Sequence, residues 1–452
     1  MHYHFFQPEA RPTCVAIELT IPVGRAVTLE LRLPAWRPGR YELARYDRYL
    51  RDFTATDAVG RPLTWRKKAR DRWSVRAQER GEVRVRYVYH ARQMDAGGTW
   101  VDDARFYVNF INCALWVVDR QDEPCTVSAD LPDGWEVVCA LPRDEAGRWQ
   151  ADDYFHFVDS PLLAAPDLQH HTYEVEEKLF HVWLHGEWSP DWTKLLTDFE
   201  LFTEQQIALF GDFPAPAFHF IVIVLPYRHY HGVEHRDSTV ITLGPAHELT
   251  PDGALYGELL GVSSHELFHA WNVARIRPAE LMPYDFSREN YFRTGYVAEG
   301  VTTYYGDLMP ARGGVFSEAD YVLELNKLLR RHFRNPGRLS RPLTEASFDL
   351  WLDGYVPEAA HRRASIYVEG AVAALLLDLE LRRMHDDARS LDDVLRRLWT
   401  RFGETGRGYT ERDYRDIVEE VAGRKMRDYF AACIEGAVDL HDRLDGALRW
   451  VG

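Results

Sequence analysis

The chain has 452 residues, 46% hydrophobic and 27% charged, enough for two or three domains of an ordinary globular protein. Its 54 basic and 70 acidic residues leave a net charge of −16 with no basic patch standing out in the sequence, which argues against a nucleic-acid binder. Five scattered cysteines (Cys14, Cys113, Cys125, Cys139 and Cys433) with no C-x-x-C pair exclude a disulfide scaffold and a thiolate zinc site, and they suit a reducing compartment. No signal-peptide pattern opens the chain, and the longest apolar runs, 218–225 and 371–377, are too short for a membrane span. A cytoplasmic protein without a membrane partner is expected.

Residues 1–165 alternate with period two in short runs such as 13–21, 26–33 and 82–90, separated by Gly/Pro turns at 36–39 and 57–62. That pattern predicts an all-β, sandwich-like domain. The segment 160–171, with two prolines and no alternation, reads as a linker or docking loop. A catalytic domain is expected over 166–452, with a β-rich start (166–250) and a helical remainder (251–452). One or two strands are predicted at 173–185, a helix at 192–210, and strands at 218–225 and 238–243. Helices are predicted at 255–274, 289–308, 318–333, 364–385, 391–402, 411–422 and 425–435. Ser390 and Thr410 supply helix caps, the latter as a capping box with Asp413.

The chemistry centres on Ser263–Trp271, SSHELFHAW, which contains His-Glu-x-x-His at His265, Glu266 and His269. On a helix, positions i and i+4 share a face. Two imidazoles can then reach one metal, with Glu266 free to take a proton from the attacking water. The apolar surroundings (Leu259, Leu260, Val262, Leu267, Phe268) make unpartnered polar groups costly there. A catalytic zinc needs a third protein ligand. Glu289 and Glu299 are the candidates. Ten helical residues span about 15 Å, so only one can reach. Glu299 lies in an apolar, aromatic helix pattern, YVAEGVTTYY, whereas Glu289 reads as a first-turn residue of that helix and Glu280 as a loop residue.

SSHELFHAWN followed by YVAEG resembles the glycyl-aminopeptidase family of gluzincin metallopeptidases, related to the alanyl and leucyl aminopeptidases. The likeness runs along nearly the whole chain: Trp36-Arg37-Pro38-Gly39-Arg40-Tyr41 and Arg45, then His231-Gly232-Val233-Glu234-His235-Arg236, Trp271-Asn272, Arg275-Ile276-Arg277-Pro278, and the stretch 365–382. It implies a thermolysin-like α+β, mainly helical catalytic domain behind the β domain. It implies one catalytic Zn²⁺ on His265, His269 and Glu299, with Glu266 as base and acid. It also implies Glu234 as the anchor of the substrate's α-amino group, on an edge-strand motif with Gly232 and Val233, and Tyr367 as oxyanion donor.

Three positions depart from the family pattern: His231 stands for Gly, Ile366 for Tyr and Glu369 for Lys. A Lys-to-Glu reversal is expected to alter charge near the site. The PDZ domain common in the family is expected to be absent. The resulting expectation is an aminopeptidase acting on peptides with a free N-terminus, preferring small residues such as Gly or Ala, as a monomer or homodimer. The rival readings are a zinc endopeptidase or other zinc hydrolase, and a non-catalytic peptide-binding protein.

Overall fold

The computed structural model describes residues 1–353 and 362–452. The expected order is observed: an all-β region, then an α+β region that becomes mainly helical. A six-stranded sheet runs Trp149–Ala151, Cys125–Asp130, His2–Phe6, Cys14–Val23, Gly81–His90, Leu50–Asp57, and a four-stranded sheet contains Val27–Arg32 and Arg72–Ala77. Both contribute to one core. In Gly81–His90 the residues Val83, Val85, Tyr87 and Tyr89 are buried while 82, 84 and 86 are exposed, the alternation of a strand with one face inward. Leu31, Trp73 and Val75 belong to the same core.

A five-stranded sheet joins this region to the next. It includes Phe106–Val108 and Leu162–Ala165. The segment 160–171, expected as a linker or docking loop, carries a fully buried strand instead, because four consecutive apolar residues buried on both faces show no alternation. Tyr107, Leu163 and Ala165 pack against Trp183, Ile221, Ile223, Val233 and Val240 of the next sheet.

That next sheet has the order Gln169–Val175, Lys178–His185, Ala217–Val224, Ser238–Gly244, His229–Glu234. Among the described residues, its last strand, His229–Glu234, pairs only with Ser238–Gly244 and leaves a free edge toward the cleft. Helices Trp192–Phe210 and Ala254–Phe268 pack in the core that this sheet shares with the C-terminal helices.

The helix predicted at 289–308 starts later, as a π-helical turn Tyr296–Val301 that continues as α-helix Thr302–Arg312. Glu289 precedes it and its carboxylate accepts a bond from the Tyr291 hydroxyl at 2.8 Å. Short helices at Leu343–Phe348 and Leu350–Asp353 and a terminal one at His441–Val451 were not expected. The last buries only Leu444, too little for an apolar period to show in sequence. All five cysteines are free thiols. Among the described residues no helix is long and apolar enough to cross a membrane.

Candidate active site

His265 lies in the last turn of helix Ala254–Phe268 and His269 follows its end. Their Nε2 atoms are 3.1 Å apart. Glu299 Oε2 lies 3.7 Å from His265 Nε2 and 3.4 Å from His269 Nε2. Glu299 sits in the π-turn, a local insertion that re-aims side chains and recurs at functional sites. The helix carrying it closes on His265, since a Cβ at Gly306 would stand 3.0 Å from the His265 Cβ.

Several contacts fix these groups. The Nδ1 of His269 is 2.7 Å from the Asn272 carbonyl, to which it donates, leaving Nε2 as the lone pair that faces the cluster. The Asn272 amide donates to the Val297 carbonyl and the Thr302 hydroxyl at 2.8 and 3.0 Å, tying the end of the first helix to the turn that holds Glu299. From the β region, the Tyr41 hydroxyl donates to Glu299 Oε1 at 2.6 Å. Tyr41 closes the Trp36–Tyr41 motif, but its bond to Glu299 spans 258 positions and no local pattern announces it.

The electrostatics ask for a cation. Burial raises the Glu266 carboxyl well above the usual carboxylate range and lifts Glu234 to about 7. Against burial, which lowers it, Glu299 pulls His269 up to about 10. Among the described residues, Glu266 Oε2 and Glu234 Oε1 are buried without a hydrogen-bond partner. Ligand atoms of His265, His269 and Glu299 all lie within 4.8 Å of one another, and those of Glu234, Glu266 and His269 form a second such group. Two nitrogens and one carboxylate oxygen are the donor set of a catalytic zinc with an open position, so the residues fit a single zinc ion.

The surrounding cleft has a volume of about 840 Å³ and is lined by His265, Glu266, His269, Glu299, Glu234 and Tyr367, among others. Gly232 leaves room for the Glu266 carboxylate: a Cβ at that position would crowd Glu266 Oε1 and the Val262 side chain and push the carboxylate aside. Gly39 is confined in the same way, with a Cβ position 2.7 Å from Glu234 Oε2. Tyr367 is half-buried at the start of helix Val368–Met384. The Val233 side chain, by contrast, is buried in the core on the sheet's other side.

The departures resolve differently. His231 lines the cleft 3.9 Å from Asp95, and burial lowers it to about 4, so it is neutral. Ile366 is core. Glu369 does not reverse the charge of the cleft: its carboxylate is buried against His332 Nδ1, with Asn335 nearby. His235 and Arg236, left without a role by the sequence, both meet the Asp159 carboxylate of the β region, His235 through Nδ1 at 2.9 Å and Arg236 through its backbone N–H, which donates at 3.0 Å.

A β-walled cleft with a helix-borne His-Glu-x-x-His cluster completed by a distant glutamate defines a zinc metallopeptidase of the gluzincin class. Comparison agrees. Residues 2–179 match the Peptidase M61 N-terminal domain and residues 258–373 match the M61 glycyl aminopeptidase. The structure of an aminopeptidase N family protein from Idiomarina loihiensis is similar over 98% of this chain and 78% of that one, at 26% identity and a TM-score of 0.92. An M1 zinc metallopeptidase from Deinococcus radiodurans shares the fold over 97% of this chain and 94% of its own, at 16% identity and a TM-score of 0.58. A mutant of an M1 zinc metallopeptidase from the same organism, bound to a Tyr-Ser-Ala substrate, gives 0.57 at the same identity and coverage. A search of curated proteins found no match. The chain belongs to the M61 family of zinc metallopeptidases, and its function is that of a zinc-dependent aminopeptidase.

Proposed function

We propose that the enzyme removes the first residue from peptides with a free N-terminus, with small residues such as Gly or Ala preferred, and that His265, His269 and Glu299 hold one zinc ion. The observation that carries the reading is the pair of orphaned carboxylate oxygens, Glu266 Oε2 and Glu234 Oε1, buried in or beside one cleft. They suit two jobs. Glu234, at the end of the edge strand, accepts the substrate's ammonium in a charge-assisted bond. The free edge of His229–Glu234 offers main-chain pairing to the peptide beyond it.

Zinc, when bound, supplies Lewis acidity that polarises the carbonyl and makes water acidic. Glu266 removes the proton from the attacking water and returns it to the departing amide nitrogen. Tyr367 donates its hydroxyl to the carbonyl oxygen as negative charge develops there. The preference for small first residues is supported by the description of the matching family.

The test is hydrolysis of Gly- and Ala-initiated peptides beside their N-acetylated counterparts, with bound zinc measured in parallel. Cleavage of free amines only, one zinc per chain, and a fall of about 10²–10⁴ in kcat for Glu266→Gln are expected. Equal cleavage of blocked peptides removes Glu234 as anchor and makes the enzyme an endopeptidase. Zinc without turnover on a broad panel leaves a binding protein.

A further inference from the structure

Helix Glu318–Arg334 walls the cleft with Glu324, Lys327, Arg330, Arg331 and Arg334. Lys327 is paired with Glu324 at 2.6 Å. Among the described residues, Arg330, Arg331 and Arg334 have no ion pair and no side-chain hydrogen bond, and all three are exposed. Their helical neighbours worsen matters: Lys327–Arg331 and Arg330–Arg334 are like-charged pairs at i, i+4, which weaken a helix. Arg331 and Arg334 lie in the last turn, where the negative helix end favours cations, but that end alone does not account for three unpaired guanidinium groups lining the cleft.

The direction follows from the proposed function, on which this inference rests. With the ammonium held at Glu234, against Gly39 of the β region, every residue after the first lies in the rest of the cleft. A peptide laid along His229–Glu234 advances about 3.3 Å per residue past Gly232 toward Tyr230. Tyr230 lines the cleft together with Glu258, Asp307 and Glu324, the last of them on the basic helix itself, so this end of the strand faces that helix. The acids there are partly offset: Glu324 is paired with Lys327, and burial raises Asp307 to about 7.

We propose that Arg330, Arg331 and Arg334 form a carboxylate subsite on the leaving-group side of the cleft. The enzyme then favours substrates with a negative group C-terminal to the scissile bond, either the free terminus of a short peptide or an Asp or Glu side chain. Guanidinium forks bind either source in the same way.

The experiment compares Gly-Ala-Ala as free acid, Gly-Ala-Ala amide and Gly-Glu-Ala amide on the zinc-loaded full chain. The expected result is a kcat/KM about tenfold above the plain amide for at least one carboxylate-bearing peptide, carried by KM, as one charge-assisted contact gives. Added salt should shrink the excess. The free acid alone being favoured assigns the terminus, and the Glu peptide alone the side chain. In the triple variant Arg330→Gln, Arg331→Gln, Arg334→Gln the excess should vanish while the amide is still cleaved. Equal rates for all three peptides in the unmodified enzyme, or an excess that survives in the variant, overturns the subsite. Cleavage of N-acetyl-Gly-Ala-Ala as fast as its free form instead overturns the ammonium anchor, and with it the assignment of this helix to the leaving-group side.

Discussion

Tyr41 shows how the site is finished by residues remote from its motif. Its hydroxyl holds the second oxygen of Glu299, leaving Oε2 for the histidines. Such partners set the orientation and basicity of a metal ligand, and losing one costs about 10–100-fold in metal affinity. Tyr41→Phe should therefore weaken zinc retention by that factor, measured by competition with a chromophoric chelator. Unchanged retention would show that Glu299 is held by packing alone. His265, Glu266 and His269 were legible because their spacing is dictated by the helix that carries them. Glu299 was narrowed by its apolar setting and chosen through family likeness. Tyr41, Asn272 and Asp159 were not legible in these roles, because their partners are far away in sequence. Glu369 was legible as a departure but not in its effect, since its burial against His332 depends on how two helices meet.

At the scale of elements, helices with strong periods and caps were readable. Trp192–Phe210, Glu318–Arg334 and Glu411–Ala422 fall within a residue of the sequence reading, and Ser390 and Thr410 form capping boxes. The π-turn was not readable, because an inserted residue leaves composition unchanged. Its placement depends on Gly300, where a Cβ would run into the Gly370 backbone. This crossing brings the Glu299 turn beside helix Val368–Met384, whose start carries Tyr367. Gly300→Ala should lower stability by about 1–3 kcal/mol, the usual cost of overpacking. Urea unfolding measures it. A neutral result would mean that the two backbones separate freely.

For the whole molecule, the β region is a structural part of the site rather than an appendage. Trp36 and Tyr41 pack with Leu281, Phe292 and Ile366, and the five-stranded sheet shares a core with the sheet behind the edge strand. The order of all-β and helical regions was legible from alternation and helical period; this docking was not, because it is built from apolar residues whose partners a single sequence does not reveal. A metal gripped by groups that the fold brings together stabilises the folded chain by mass action, about 4 kcal/mol at a thousandfold excess over Kd. Chelation should lower the melting temperature of the unmodified enzyme and of Glu266→Gln alike, and should leave His269→Ala unmoved. Equal shifts in all three would place the metal elsewhere.

The most direct measurement is anomalous diffraction at the zinc absorption edge from crystals of the zinc-loaded enzyme. One peak is predicted, about 2.0–2.2 Å from the Nε2 atoms of His265 and His269 and an oxygen of Glu299. A peak elsewhere, or none at these three residues, would contradict the assignment of the active site.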